Sequence, residues 1–360
     1  IRMHLNSGGK RVESEKKKYY IYISVLSIFL LLLIVISASI GSSSIGIFDS
    51  FKLILSKIPL LNRMVDTEDV KQVYEVIVWK VRLPRILQSS LVGGALAVVG
   101  CTFQAIFRNS LADPHILGIS SGAALGATLA ILSGITLNFM GIGVVSIFAF
   151  IGAVLTVMLV YKLGGIGGKV LVTNLLLTGT AISTMLSSAI SLLMIYNREQ
   201  LEKVYLWTLG SFSSSNWSKV LFLFLVSIIS VTIIFMFSRE LNIMLTGDEA
   251  ASSLGIDTGK VKNILIIISA FLVAGSVCVS GTIGFVGLII PHCMRLLVGS
   301  DHRILLPFSY LGGSFFMILC DTIARTAAQP TEIPVGVITA FFGAPYFIYL
   351  LYRNTKNRSF

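Results

Sequence analysis

The sequence predicts an all-α, polytopic membrane protein with ten transmembrane helices and both termini on the cytoplasmic side (N-in/C-in). Three observations carry this. Of 360 residues, 55% are hydrophobic and only 12% are charged, with a mean hydropathy of +0.88. A soluble domain of this length would need more charge on its surface. Apolar runs close to the ~20 residues that cross a bilayer as a helix recur along the whole chain. Most of the 28 Lys and Arg fall on the inner side when the N-terminus is placed inside, and residues 42–85 hold most of the remainder.

Each element follows in order. Residues 1–19 form a cytoplasmic leader, basic from Lys10 to Lys18, ahead of a first span at 20–41. No convincing small-x-small cleavage site lies near Ser37–Ser44, so this span is expected to be retained. Residues 42–83 read as a long outer segment. Its stretch FDSFKLILSKIPLL alternates apolar and basic residues, the pattern of an amphipathic helix lying on the membrane. Spans follow at 84–107, 115–135, 140–161 and 169–196, then an outer loop at 197–216 and a span at 217–237. The inner loop 238–259 holds a helix-forming composition from Asp248 to Leu254, punctuated by Gly247 and Gly255. Spans at 260–280, 284–299, 303–325 and 336–352 complete the membrane domain of 20–352, with a cytoplasmic tail at 353–360.

Small residues are spaced for close helix contact. Gly118, Gly122 and Gly126 recur every fourth residue in the third span, and Gly93, Gly94, Ala97 and Gly100 do much the same in the second. The fifth span is the richest in hydroxyls, with Thr173, Thr178, Thr180, Ser183, Thr184, Ser187, Ser188 and Ser191 beside Asn174. Such groups either bond back to the helix backbone or form a wet wall. In lipid, broken helices and ionisable groups are costly unless they face protein or a water-filled path. The segments RNSLADPHILGISSGAALG from Arg108 and GTIGFVGLIIPHCMRLLVG from Gly281 carry both, so they point to a route through the membrane rather than to an anchor.

Other chemistries find no support. GGIGGKV at 164–170 lacks the first Gly and the hydroxyl of a phosphate loop. His4, His115, His292 and His302 have no metal-ligand spacing, and the four cysteines fall in apolar stretches as packing residues. The positive charge fits topology and anionic lipid rather than nucleic acid. Asp321 and Arg325, four apart in the ninth span, are expected to pair. An ion-driven carrier would need a richer relay of ionisable groups near the midplane.

Seven stretches in order carry a family resemblance: RLPR at 82–85, RNSLADPHILGISSGA at 108–123, WTLGSF at 207–212, GDEAASSLGI at 247–256, GTIGFVGLIIPHCMR at 281–295, GSDHRILLP at 299–307 and EIPVGVITAFFGAPYF at 332–347. The sequence resembles the permease subunits of type II ABC importers for iron-siderophore, haem and cobalamin. Ser110 departs from the Pro usual in that turn. The resemblance implies a homodimer in the lipid bilayer of the cell membrane, with a path along the dimer axis. It implies two cytoplasmic ATPase subunits that hold ATP and Mg, an extracytoplasmic substrate-binding protein, and neither a cofactor nor a catalytic residue in this chain. Residue by residue, it implies gates and path at Asn109, Leu111, Val172, Thr173, Asn174 and Thr178. It implies a coupling helix with Gly247, Asp248, Glu249, Ala250, Ser253, Leu254 and Gly255 against the ATPase. It implies docking of the binding protein on Arg82, Arg85 and Arg325, the last contested because Asp321 can hold it internally. The default cargo is a ferric siderophore, with haem or cobalamin as alternatives. An ion-coupled secondary transporter is the alternative of another class.

Overall fold

Proline decides the shape of the central helix. Pro84 has no N–H to give and crowds the carbonyl one turn earlier, which in a regular helix forces a break. Here the chain widens instead. α3 (Gln72–Val76) runs through a π-helical turn, Ile77–Arg82, into α4 (Leu83–Ile106), giving one helical run of 35 residues. The second span was expected to start at 84, so its first third is a helical extension rather than part of a surface loop.

The computed structural model describes residues 2–41, 43, 45–58, 66, 69–139, 141–165 and 172–358; for 2–18, 172, 351 and 353–358 only the backbone course is described. α1 (Arg2–Ser39) includes the leader and the first span in one helix. α2 (Ile47–Ser56) is amphipathic, burying Leu53 with Ile45 and Val78 while Phe48 stays outside. α5 (Ile119–Ser133), α6 (Val144–Gly164) and α7 (Val172–Tyr196) follow. Then come the short α8 (Leu201–Thr208), α9 (Trp217–Met236), α10 (Ser238–Met244) and α11 (Asp248–Ser253). α12 (Thr258–Ser280), α13 (Val286–Val298), α14 (His302–Thr326) and α15 (Val335–Arg358) complete the chain. Seven of the described helices are long and apolar enough to cross a membrane, and three shorter apolar ones accompany them.

One small departure from an all-α chain stands before α6. β1 (Asn138–Phe139) pairs antiparallel with β2 (Ile142–Gly143), with Asn138 opposite Gly143. Gly141 turns between them at φ +83°. The fourth span therefore starts at Val144, not at 140.

α4 is the mast of the bundle: 83% of its most apolar window is buried, against 17% for α1 and α7. Two glycine contacts fix it. Gly93 lies against the backbone oxygen of Gly313 in α14, and Gly100 against that of Gly287 in α13. A methyl at either place would collide with backbone, which cannot rotate away. Gly122 and Gly126 do the same between α5 and α6, meeting Gly152 and Phe148. Gly118 does not continue that stripe. It is the left-handed cap ahead of α5, at φ 74°.

Candidate functional site

The fifth long apolar helix from the sequence, α7, turns a polar stripe outward. Thr173, Thr180, Thr184, Ser187, Ser188 and Ser191 are exposed, and Asn174 and Thr178 are half-buried. Spacings of seven, four, three and four place Thr173, Thr180, Thr184, Ser187 and Ser191 on one helical face. Thr184, Ser188 and Ser191 donate to carbonyls one turn back, at 2.9–3.0 Å. Each oxygen still has lone pairs to offer, so the face is a row of weak acceptors. Val172 opens the helix, and its side chain lies outside the described ones, as does the basic turn expected at 164–170 beyond Gly165.

The turn after α4 supplies a second feature. Arg108 takes φ +47°, and the Asn109 side-chain oxygen accepts from the Leu111 N–H at 2.9 Å. Asn109 is exposed and Leu111 half-buried. Asp113 then caps the short 3₁₀ turn Pro114–Leu117 by accepting from the His115 N–H. The His115 ring reaches the Ile283 carbonyl at 2.8 Å, which ties this turn to the segment before α13. Gly179 of α7 packs on the Ile116 backbone, so the turn and the polar helix meet.

α11 sits at this same end of the bundle. Gly247 before it has φ 119° and Gly255 after it has φ 83°, values that strain any residue with a side chain. Only Ala251 is buried among its six residues. Glu249, Ala250, Ser253 and Gly255 are exposed, and Leu254 is 68% exposed. Asp248 anchors the helix on Lys262 at 2.7 Å and faces Arg108 at 3.7 Å. Arg108 is the residue before Asn109, so α11 and the 109–111 turn share one ion-pair network.

The opposite end holds the arginines. Arg82 donates to the carbonyls of Ala38 and Ser39, at 2.7 and 3.0 Å. Arg325 donates to the Ser37 and Ile40 carbonyls, at 2.7 and 3.1 Å. Two guanidiniums thus satisfy the last carbonyls of α1, where the helix dipole favours positive charge. Arg85 grips Asp321 through Nε and Nη2 at 3.0 Å and Glu332 through Nη1 at 2.8 Å. All three arginines are buried. They are therefore not the freely displayed surface charges expected of docking residues: each has own-chain acceptors, because burial in a low dielectric demands them. Asp321 pairs with Arg325 as expected, at 3.6 Å from its Nε, and more closely with Arg85, at 3.0 Å.

These features are arranged along a chain whose relatives are recognisable. The FecCD transport family matches residues 29–353. The chain belongs to that family. It is a multi-pass membrane protein and a permease of the metal-chelate group of type II ABC importers, whose members are transport subunits with the ATPase on a separate chain. It is 41% identical over 282 residues to the cobalamin import system permease protein BtuC of Halobacterium salinarum, covering 78% of this chain and 75% of that one. It is 36% identical over 350 residues to the Fe(3+)-citrate import system permease protein YfmD of Bacillus subtilis, covering 97% and 98%. A metal-chelate type ABC transporter solved in an inward-facing conformation superposes with a TM-score of 0.78 at 36% identity, covering 92% of this chain and 99% of its own.

The sequence missed α8 and α10. α8, LEKVYLWT, buries only Val204, so hydropathy gives it no periodic face. Its neighbours Gly210 and Gly281 lie in contact, and Val335 donates to the Gly210 carbonyl at 3.0 Å. Those long-range bonds, not local pattern, hold it in place.

Proposed function

We propose that this permease imports a bulky metal chelate, by default a ferric siderophore, by alternating access as a homodimer. Each subunit would cross the cytoplasmic membrane ten times with both termini inside. The observation that carries the reading is the unburied hydroxyl face of α7. A polar stripe on lipid is unfavourable, whereas opposite a second copy it lines a path with weak, distributed contacts that let cargo leave as well as enter. Asn109 and Leu111 serve as the inner gate with Val172, Thr173, Asn174 and Thr178. Gly247, Asp248, Glu249, Ala250, Ser253, Leu254 and Gly255 form the surface gripped by the ATPase, which holds ATP and Mg. The exposed Leu254 gives that contact an apolar anchor.

An extracytoplasmic binding protein delivers cargo at the arginine end. Arg82 and Arg325 brace that face from within. Arg85 is the docking contact that a partner carboxylate can reach, by replacing the half-exposed Glu332. The siderophore default is supported by the ferric-citrate relative, which aligns over nearly the whole chain.

The test is reconstitution with a cognate ATPase and binding protein. ATP-dependent accumulation of a ferric chelate, above that of cobalamin or haem, is expected. Uptake driven by an ion gradient without the ATPase overturns the mechanism. Orientation is tested separately. Cysteine introduced at position 66 should label from outside and at position 248 should not. External labelling at 248 in intact cells overturns the topology.

A further inference from the structure

A cavity of about 590 Å³ opens at the arginine end, between α8, the loop before α9, the end of α12 and the segment before α15. It belongs neither to the hydroxyl face of α7 nor to the gates. Its wall contains Lys219, which is only 8% exposed. Lys219 Nζ donates to the carbonyl and to the hydroxyl of Ser214, both at 2.8 Å. Among the described residues no carboxylate lies within ion-pair distance of it.

Three facts make that ammonium anomalous as a purely structural group. A buried cation without a counter-charge is costly, because two neutral acceptors do not replace bulk water. It sits in the first turn of α9, capped by Asn216, where the helix dipole disfavours positive charge. It also has a third N–H to give, since an ammonium carries three donors and two are engaged.

The surroundings complete a donor set. Ser214 accepts from Lys219, so its own hydroxyl proton is free. Ser213 accepts from Ser211 at 3.1 Å, which leaves the Ser213 proton free as well. Lys203 adds a second positive charge to the wall. The carboxylate present, Glu332, is already committed to Arg85 at 2.8 Å. Trp207, Ile333 and Pro334 form an apolar side.

We propose that this cavity binds an organic anion. Its oxyanion head sits on Lys219, with the hydroxyls of Ser213 and Ser214 as further donors, and its apolar body lies against Trp207, Ile333 and Pro334. The same chemistry is offered by a soluble carboxylate and by the phosphate of a membrane lipid. The site stands on its own geometry and does not depend on which cargo is imported.

The test uses the full chain, purified in lipid-free detergent and in phosphatidylcholine nanodiscs. Benzoate is titrated against benzamide, its neutral analogue, at constant ionic strength, and the thermal midpoint is followed. Benzoate should raise the midpoint saturably and benzamide should not. Lys219→Met should weaken benzoate at least tenfold, and Lys219→Arg should retain it. In nanodiscs doped with phosphatidylglycerol, a raised midpoint that abolishes the benzoate response assigns the site to lipid. An unchanged benzoate response assigns it to soluble anions. Equal responses of the parent to benzoate and benzamide overturn the proposal even if Lys219→Met does not fold. So does a benzoate response that survives Lys219→Met.

Discussion

The two ends of this bundle use charge in opposite ways. At one end Arg82, Arg85 and Arg325 are buried and multiply bonded, and they clasp the end of α1, the start of α4 and the end of α14. At the other, Asp248 meets Arg108 at 3.7 Å with both side chains more than 40% exposed. Removing one partner of a buried charge cluster strands the rest, whereas exposed pairs exchange with water at almost no cost. The first end is therefore held by a buried cluster, and the second by Lys262 on Asp248 with a looser, exposed contact to Arg108. The glycines flanking α11 agree with that division, and so does the backbone-to-backbone packing of α4 on α13 and α14.

The largest expected effect breaks the rigid end. Asp321→Ala leaves Arg85 and Arg325 without their shared carboxylate. It should cost about 3–5 kcal/mol in an SDS-titration unfolding experiment. A loss below about 1 kcal/mol would show that the clasp is no stronger than a surface pair.

Next comes Gly255→Pro at the exposed end. Proline needs φ near −65° and donates no hydrogen bond, while Gly255 has φ 83° and donates to Ser252 at 2.9 Å. ATP-driven uptake by the reconstituted complex should fall at least tenfold, while the unfolding midpoint falls less than for Asp321→Ala because α11 is short and mostly exposed. Full uptake in that variant would remove α11 from the coupling route.

A smaller effect is read by pH. The Asp301 carboxyl lies just ahead of α14, and the Arg303 side chain beside it, with Asn242, holds it down at about 2 from its ordinary 3.8. Its folded value is the lower one, so its contribution is complete above about pH 4 and is lost as pH falls from there through 2. Asp301→Asn should flatten that part of the stability profile. The change should be no more than about 1 kcal/mol, because the pair is partly exposed and screened. A profile unchanged below pH 4 would deny the pairing in solution.

The smallest change in stability is expected for Arg108→Gln, about 0–1 kcal/mol, since its partner contact is long and wet. Transport should respond more than folding does, because Arg108 stands between α11 and Asn109. Unaltered uptake would show that the two features move independently.

How much of this was legible in the sequence differs between the same two ends. Long apolar helices were readable where a run of apolar residues bounded by Gly or Pro gives a local signal, as for α9, expected at 217–237 and running Trp217–Met236, whereas the short α8 and α10 were not. The α11 helix was readable for the same reason, from Gly247 and Gly255. The arginine cluster was not. Its residues were visible as RLPR, but Arg85 and Glu332 are 247 positions apart, and no local pattern says that they touch. Lys219 was hidden in the same way, as one cation at the edge of an apolar run.

The capping of α1 has a consequence for how the protein is made. The Ser37 carbonyl waits for Arg325, which is synthesised 288 residues later. At about 5–20 residues per second that interval is on the order of 15–60 seconds. Until then the Ser37 and Ile40 carbonyls, unlike those of Ala38 and Ser39 that Arg82 serves, have only water or headgroups to satisfy them. The end of α1 is thus clasped in two stages, early by Arg82 and late by Arg325, and the second stage waits until α14 has been made.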